Sequence, residues 1–385
     1  METYVSNLIT KLQSDEFQIT CLCPYESAFT ASLRRLGFKV YITPIQDDPA
    51  WRSVEMAVEL IRQHRIDIIH AHLPNAHTLA GVAGRLTNTP VVSTIHARTL
   101  WTQEISVSRL TSTSLIVVCQ EAYAQALAAG VPADSITVIP NGVDTQKFTP
   151  QRSGAAFREA VGVPPEATLV GFVGRLAWEK GPDKFVQVAD RIHRRRPDVH
   201  FTLVGEGPME AELREMIAQT GLQDRVHLAG MHRNIETVYP AFDLLLQTSR
   251  SEAMPLALLE GMACGRPVVA IGIGGVAELV EAGTSGILIS PGDWSHVASP
   301  YPGDWEGVAA AALDLLNQPA RLKQMGQAGR KRAEETFDLR HNIRETTAVF
   351  QRLVKPAVMK NGVWQPTVVR DQSEGERRVR LRPRT

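Results

Sequence analysis

Short runs rich in β-branched residues alternate along this chain with longer stretches whose apolar residues recur at helical spacing. That rhythm is typical of parallel sheets wrapped by helices and predicts an α/β fold of doubly wound, Rossmann-like domains. The strand candidates of the first half are QITCLC, KVYITPI, DIIHAHL, PVVSTIH, LIVVCQ and ITVIPNG. Those of the second half are TLVGFVG, HFTLVGEG, VHLAG, LLLQTS, PVVAIGI and GILISPG.

The length and the linkers of the chain predict two domains. A chain of 385 residues exceeds one ordinary hydrophobic core. The segment 143–168 is rich in Pro, Gly and polar residues, and we expect a hinge there. The predicted domains are 1–150 and 151–335. A helix at 336–355 then returns toward the first domain, at the end of helical spacing that begins near Asn317, and 356–385 is a disordered tail.

Composition excludes several classes of protein. The formal net charge is zero, so no overall basic field would attract nucleic acid. No apolar run approaches the roughly 20 residues of a membrane span, and the N-terminal segment is too polar for a secretory signal. The four cysteines fit buried, reduced thiols better than a zinc site, and we expect a cytoplasmic protein. The last sixteen residues carry six Arg against three acids. They suit a solvated tail or, alternatively, a weak peripheral contact with anionic lipid at the inner face of the membrane.

The segment GFVGRLAWEKGPDKF has two cations at the carboxyl end of a predicted strand. We expect the strand to end at Val173, Gly174 to allow a tight turn, and a helix to begin near Pro182. Arg175 and Lys180 would then suit a bound diphosphate. The alternative is that both are solvated loop charges.

The segment SRSEAMPLALLEGMACGRPVVA predicts a helix start that could bind an anion. Pro255 suits an early helix position because it lacks the N–H that a helix start leaves unpaired. Backbone amides around Met254 to Ala257 would point outward. Glu252 precedes this helix and Glu260 lies inside it, so the two carboxylates could bind sugar hydroxyls on either side of a diphosphate. Alternatively, Glu252 interacts with the helix dipole and Glu260 is a surface acid.

Two further patterns add candidate residues. Gly272, Gly274 and Gly275 in IGIGGVAELV could bring the backbone close to a ligand. His70 and His72 lie on one side of a predicted strand, which leaves a metal site to be weighed.

These pieces together resemble a known family. GRLAWEKGPD, VGEGP, SEAMPLALLEGMACGRPVVA with its Glu-x7-Glu spacing, GGVAELV and GRKRAEETFD follow one another as in the retaining GT-B glycosyltransferases of family four. The resemblance extends over about residues 1–353. It implies two Rossmann-like domains facing across a cleft, with an acceptor side first and a nucleotide-sugar donor site second.

The resemblance also implies roles for the candidate residues. Arg175 and Lys180 would neutralise the donor diphosphate, Glu260 would bind the nucleotide ribose, and Glu252 would bind the transferred sugar. The segment STIHA places His96 near the reacting sugar, and HAHLP places His72 in the cleft on the acceptor side. The donor-lining backbone would come from Gly174, Met254, Pro255, Leu256, Gly274 and Gly275.

The activity implied is transfer of a hexose from a nucleotide sugar to a glycan or lipid-linked acceptor with retention of configuration, as in the synthesis of cell-envelope polysaccharides. No cofactor is expected beyond this co-substrate, and no metal, because two fixed cations offset the diphosphate charge and the sequence has no Asp-x-Asp pair. Two alternatives remain. One is a sugar-nucleotide epimerase or hydrolase of similar fold, and the other is an inactive, truncated nucleotide-sugar binder.

The sequence departs from the family at its start. Family members open with a buried strand and a Gly-rich loop, whereas this chain opens at the helix ETYVSNLITKL. A central strand of the N-terminal sheet would then be absent, leaving two exposed strand edges. We expect either that Met1 is an internal Met preceded by the missing strand, or that this domain is impaired.

Overall fold

The computed structural model describes residues 2–12, 17–291, 304–354, 358–360 and 363–365. Each of the twelve predicted runs contains a strand. In chain order they are β1 (Thr20–Cys23), β2 (Lys39–Ile42), β3 (Ile69–His72), β4 (Val91–Ile95), β5 (Ser114–Val117), β6 (Ile136–Val138), β7 (Leu169–Val173), β8 (His200–Val204), β9 (Val226–Gly230), β10 (Leu244–Gln247), β11 (Val268–Ile271) and β12 (Ile287–Ile289). A hairpin of β13 (Val358–Lys360) and β14 (Val363–Gln365) follows.

Helices connect these strands. They are α1 (Glu2–Leu12), α2 (Ala28–Arg35), α3 (Trp51–Gln63), α4 (Pro74–Thr87), α5 (Thr102–Thr111), α6 (Gln120–Ala128), α7 (Ala155–Ala160), α8 (Pro182–His193), α9 (Glu210–Thr220), α10 (Leu256–Ala263), α11 (Val276–Leu279), α12 (Asp304–Leu316), α13 (Pro319–Thr336) and α14 (Leu339–Leu353). Several carry their apolar residues on one face, as in α8, which buries Phe185, Val188 and Ile192 against the sheet.

The second half contains one parallel sheet of six strands in the order β12-β11-β10-β7-β8-β9. From β7 the chain builds outward through β8 and β9. It then returns to the other side of β7 and builds outward again through β10, β11 and β12. The strand order therefore reverses between β7 and β10, and ligands of such sheets bind outside the carboxyl ends of the strands at this switch point.

The first half contains two separate parallel sheets among the described strands, β2-β1 and β3-β4-β5-β6. A cavity of about 680 Å³ lies between β1 and β3, and residues of both strands line it, including Leu22 and Ile69. Each of these two strands has one hydrogen-bonded neighbour within the described sheets. The interruption is at the place where the sequence predicts that a central strand is lacking.

The chain crosses between the halves near Val143 and again near Asp338, and these two residues form a short parallel bridge. The predicted hinge segment is not wholly irregular, because it contains α7. The helical stretch predicted from Asn317 to Leu353 is also not continuous: α13 ends at Thr336 and α14 begins at Leu339, with Asp338 as its N-cap. Phe350 of α14 packs with Tyr4 and Leu8 of α1, so the last helix lies on the first half.

Within the described ranges, no helix is both long enough and apolar enough to span a membrane. The predicted disordered tail lies outside the described residues, apart from the short hairpin β13–β14. The four cysteines are all free thiols.

Candidate active site

Two loops meet at the switch point of the second sheet. One follows β7 and contains Lys180, and the other follows β10 and contains Glu252. The amide of Arg250 donates to the carbonyl oxygen of Glu179 at 2.8 Å. Gly181 has a φ of +64°, and a Cβ there would lie 2.1 Å from the carbonyl oxygen of Thr248. This close approach requires glycine, and it holds the two loops together.

Lys180 and Glu252 form an ion pair at this junction. The Lys180 Nζ donates to both carboxylate oxygens of Glu252 at 2.8 Å. The Ser249 hydroxyl donates to Oε1 of the same carboxylate at 2.9 Å. The side chain of Glu252 is 7% exposed and that of Lys180 is 31% exposed. The alternative reading of Lys180 as a solvated loop charge is therefore wrong, because it is half-buried and paired, and Glu252 is more than a partner of the helix dipole.

Arg175 has a different environment. It is exposed, and its guanidinium makes no hydrogen bond or ion pair with the residues that the structure describes. The tight turn predicted at Gly174 does not require glycine, since its φ is not in the left-handed region and a Cβ there would meet only Phe172, at 3.6 Å. Its place in the donor lining stays a prediction. The tight approach comes instead from Gly205 in VGEGP, with a φ of +137° and a Cβ position 2.0 Å from the carbonyl oxygen of Gly174.

Glu260 lies inside α10 and is 7% exposed, so the alternative of a surface acid is wrong. The hydroxyl of Tyr239 donates to its Oε2 at 2.6 Å. Burial raises the pKa of Glu260 to about 7, although the Tyr239 hydrogen bond opposes this shift. Tyr239 is itself fully buried and packs edge-on against Phe148. No motif marks Tyr239, which lies in an ordinary apolar stretch.

The helix start at α10 differs slightly from the prediction. Pro255 is the N-cap and the helix begins at Leu256. The carbonyl oxygen of Met254 accepts from the Asn141 side chain at 2.7 Å, which ties this loop to the segment that follows β6. The amide of Gly275 donates to the carbonyl oxygen of Ala253 at 2.5 Å. The prediction that the Gly275 amide lines the donor is therefore wrong, because that amide holds the loop.

Gly274 also serves loop packing. Its φ is +52°, and a Cβ there would lie 1.9 Å from the carbonyl oxygen of Glu252. Only glycine fits this position. The turn at 272–275 thus packs against the backbone of Glu252.

Three histidines lie together at the carboxyl ends of β3 and β4. Nδ1 of His72 and Nε2 of His96 are 3.0 Å apart, and Nε2 of His70 lies 2.7 Å from the Thr94 hydroxyl. Desolvation lowers the pKa of His96 and that of His70 to about 3, and the pKa of His72 well below its ordinary value. All three rings are neutral at pH 7, so they can exchange hydrogen bonds but carry no charge.

A cleft cavity of about 570 Å³ joins the two halves. On one side it is lined by residues 96–102, and on the other by Lys180 and by Ser251 to Ala253. The structure therefore brings His96 together with Lys180 and Glu252, an arrangement consistent with the positions that the family resemblance implies. His72 touches this group through His96, while Arg175 and Glu260 lie outside this lining.

Sequence reasoning missed Arg98 and Trp101, which line the same cavity. The only signal was their position shortly after the strand-end His96.

The fold and this site together define a class. Two α/β halves face each other, and the crevice at the sheet switch point holds a lysine and a buried carboxylate beside the start of α10. A second buried carboxylate, Glu260, lies inside that helix. That combination suits an enzyme that binds a nucleotide sugar between two Rossmann-like domains.

Comparison with known protein families agrees with this class of enzyme. Residues 155–332 match the family described as Glycosyl transferases group 1, and residues 1–147 match Glycosyltransferase Family 4. The chain belongs to the group 1 glycosyltransferase family.

Two curated relatives illustrate the range of this similarity. The chain is 30% identical over 336 residues to a 2-deoxystreptamine glucosyltransferase of Streptomyces kanamyceticus, over 79% of this chain and 83% of the relative. It is 34% identical over 226 residues to the lipopolysaccharide core biosynthesis mannosyltransferase LpsB of Rhizobium meliloti (strain 1021). That second match spans 57% of this chain and 61% of the relative.

Solved structures share the GT-B fold. The structure of Anabaena Alr3699/HepE in complex with UDP-glucose superposes with a TM-score of 0.79 at 22% identity, over 91% of this chain and 95% of that chain. The sucrose-phosphate synthase of Thermosynechococcus elongatus superposes with a TM-score of 0.69 at 21% identity, over 91% of this chain and 92% of that chain.

Proposed function

We propose that this chain transfers a hexosyl group from a nucleoside diphosphate sugar to an acceptor hydroxyl with retention of configuration. The observation that carries the proposal is the Lys180–Glu252 pair at the switch point, across the cleft from His96. In this arrangement one side chain can bind the diphosphate and the other the sugar. The acceptor approaches from the side of residues 96–102.

The transfer is written with its atoms balanced. A bond forms between the acceptor oxygen and the anomeric carbon, and the bond from that carbon to the diphosphate oxygen breaks. The diphosphate leaves with the electron pair, and the hydroxyl proton passes to its departing oxygen. Lys180 and Arg175 stabilise the charge that develops on this leaving group, and attack from the departing face retains the configuration.

Glu260 binds the ribose hydroxyls in this proposal, and the backbone amides at the start of α10 contact the phosphate. His96 accepts or donates a hydrogen bond to the transferred sugar as a neutral ring. No metal is required, because the two cations supply the compensating charge.

The names of the relatives support a hexose donor, since they include a glucosyltransferase and a mannosyltransferase. A glycan or lipid-linked acceptor in cell-envelope synthesis fits the lipopolysaccharide relative. The cytoplasm supplies nucleotide sugars, and we place the enzyme there.

The test compares Arg175→Ala with Arg195→Ala, an exposed cation of the same half that lies between the end of α8 and the start of β8, on the amino side of the sheet. Calorimetry with a panel of UDP-, GDP- and ADP-sugars identifies the donor, and turnover is then measured with this donor. Arg175→Ala should lower turnover about a hundredfold, as for loss of one oxyanion donor. It should leave the melting temperature unchanged, because the side chain is exposed and unpaired among the described residues.

Arg195→Ala should change neither turnover nor the melting temperature. Near-normal turnover of Arg175→Ala would remove that residue from the site. A wild-type protein that binds none of the donors would overturn the proposed function. Cleavage or epimerisation of the donor without any acceptor would favour the rival enzyme class.

A further inference from the structure

The cleft cavity has one wall that the proposed donor contacts leave unused. Lys180 and Glu252 form the donor wall, and residues 97–102 form the opposite wall. Two side chains of the opposite wall have the chemistry to bind a second substrate. They are Trp101 and Arg98.

Trp101 presents an indole ring to the cavity from a fixed backbone. Its side chain is 65% exposed. Its amide donates to Oε2 of the buried Glu104 at 3.0 Å, and its neighbour Leu100 is buried in the main core. The backbone on both sides is therefore held in place, while the ring lies at the surface.

Two other exposed tryptophans have partners that explain them. The Trp51 indole donates to Glu55, and the ring of Trp178 lies under the Arg250 guanidinium, 5.0 Å from its centroid. The Trp101 ring makes no aromatic or cation–π contact within the described part of the chain. Its flat apolar face is thus free to stack on a ligand, and the C–H face of a sugar or cyclitol ring is complementary to such a surface.

Arg98 lies three residues before Trp101 and is oriented by an ion pair. Its Nε donates to Oε1 of Glu121 at 2.9 Å. The two terminal nitrogens make no hydrogen bond with the described residues, and the side chain is 36% exposed. The guanidinium is therefore fixed at one edge and open at the other, a geometry that suits two oxygens of a phosphate or a carboxylate.

We propose that this wall binds the acceptor, and that the acceptor is a pyranose or cyclitol ring that carries an anionic group. The ring stacks on Trp101, and its phosphate or carboxylate binds the terminal nitrogens of Arg98. This inference rests on the proposed function for its statement that the bound ring is the acceptor. The binding itself can be measured without turnover.

The experiment uses the full chain labelled with 5-fluorotryptophan and ¹⁹F NMR, with the Trp101 resonance assigned by Trp101→Phe. Saturating UDP, or the diphosphate found in the donor panel, occupies the donor site. The probes are glucose 6-phosphate, myo-inositol 1-phosphate and glucuronate. Their matched controls are glucose, myo-inositol and inorganic phosphate.

The anionic rings should shift the Trp101 resonance and bind at least about tenfold more tightly than the neutral rings, the value of one charge-assisted contact. Arg98→Gln should abolish that difference, and Arg109→Gln, an exposed arginine on α5, should preserve it. The Trp178 resonance should stay unchanged throughout. The affinity for the nucleoside diphosphate should be the same in Trp101→Ala as in the wild type.

Three results would overturn the proposal. The first is a Trp101 resonance that none of the anionic rings shifts. The second is equal binding of neutral and anionic rings, or a shift by inorganic phosphate as large as that by the ring phosphates. The third is a Trp101→Ala variant with weakened nucleotide binding, since the ring would then serve the donor. A wild type that binds no donor would reject the proposed function alone, because the probe titration can also be done without nucleotide.

Discussion

Replacing Lys180 by Met tests the ion pair at the centre of the site. The Glu252 carboxylate is 7% exposed, and its other side-chain contact is the Ser249 hydroxyl. Removal of the ammonium leaves a nearly buried charge with one neutral donor. Breaking a buried pair from one side costs about 3–5 kcal/mol, but the 31% exposure of Lys180 lets water replace it in part. We therefore expect a loss of about 2–3 kcal/mol in the free energy of unfolding.

A double-mutant cycle separates this stability effect from catalysis. For a domain of this size the loss corresponds to a fall of about 4–12 °C in the melting temperature. Lys180→Met/Glu252→Gln removes both charges and should regain most of the stability, while Glu252→Gln alone should lose little. Turnover should stay low in all three, by about a hundredfold or more in the variants without the lysine.

The assays are urea unfolding and initial rates of transfer with the identified donor. If Lys180→Met unfolds at the wild-type urea concentration, the Glu252 carboxylate does not need its partner for stability. If the double variant regains turnover together with stability, Lys180 is not required for catalysis. In that case the pair would be structural only.

The absence of a metal requirement, the burial of Glu260 and the divided first sheet each have a measurable consequence. Chelation by EDTA should leave the rate unchanged, and a complete loss restored by Mg²⁺ or Mn²⁺ would contradict this and return attention to His70 and His72. The pKa of Glu260 is raised from 4.5 to about 7, so its ionisation opposes folding as the pH rises through this window. Glu260→Gln should therefore keep or increase the free energy of unfolding at pH 8 in urea titrations, yet weaken nucleotide binding in calorimetry. Unchanged nucleotide affinity would refute the ribose assignment. Hydrogen exchange followed by mass spectrometry should show faster exchange in β1 and β3, whose edges face the 680 Å³ cavity, than in β4 and β5. Equal protection would show that the divided sheet opens no more readily than the continuous one.

Periodicity predicted the strands because burial on both faces leaves an uninterrupted apolar run. The run PVVAIGI contains β11, with all four residues of the strand buried. The predicted helix boundary was wrong where a tertiary contact, rather than local spacing, ends the helix. Helical spacing continues through Phe337 and Asp338, yet the helix stops there because Asp338 accepts hydrogen bonds from Thr145 and Arg340 and pairs with Val143.

Spacing located the site loops but not their internal contacts. Glu252 and Lys180 are 72 positions apart, and the sheet order that places β10 beside β7 brings them together. The glycines also show that local spacing does not predict contacts between loops. Gly174 follows its strand directly and looks like the turn residue, whereas the backbone approach falls on Gly205 of the neighbouring strand. The local sequence shows which positions allow a tight backbone turn. Whether such a position requires glycine depends on how closely the neighbouring loop approaches it.

The buried acids provide the strongest physical reason to read this crevice as functional. A carboxylate such as Glu260, desolvated and held by one tyrosine, weakens folding at neutral pH, and an amide or an apolar side chain would fit at lower cost. Residues with strongly perturbed pKa values in a cleft are candidates for function for that reason. Glu252 is also buried, and its carboxylate is paired with the Lys180 ammonium at 2.8 Å. The second half thus holds one acid whose charge is compensated and one whose charge is not, on either side of the α10 start. Binding a neutral ribose at Glu260 and a polyhydroxylated sugar at Glu252 would give each carboxylate the donors that it lacks, which is why we expect substrate to stabilise this half against unfolding.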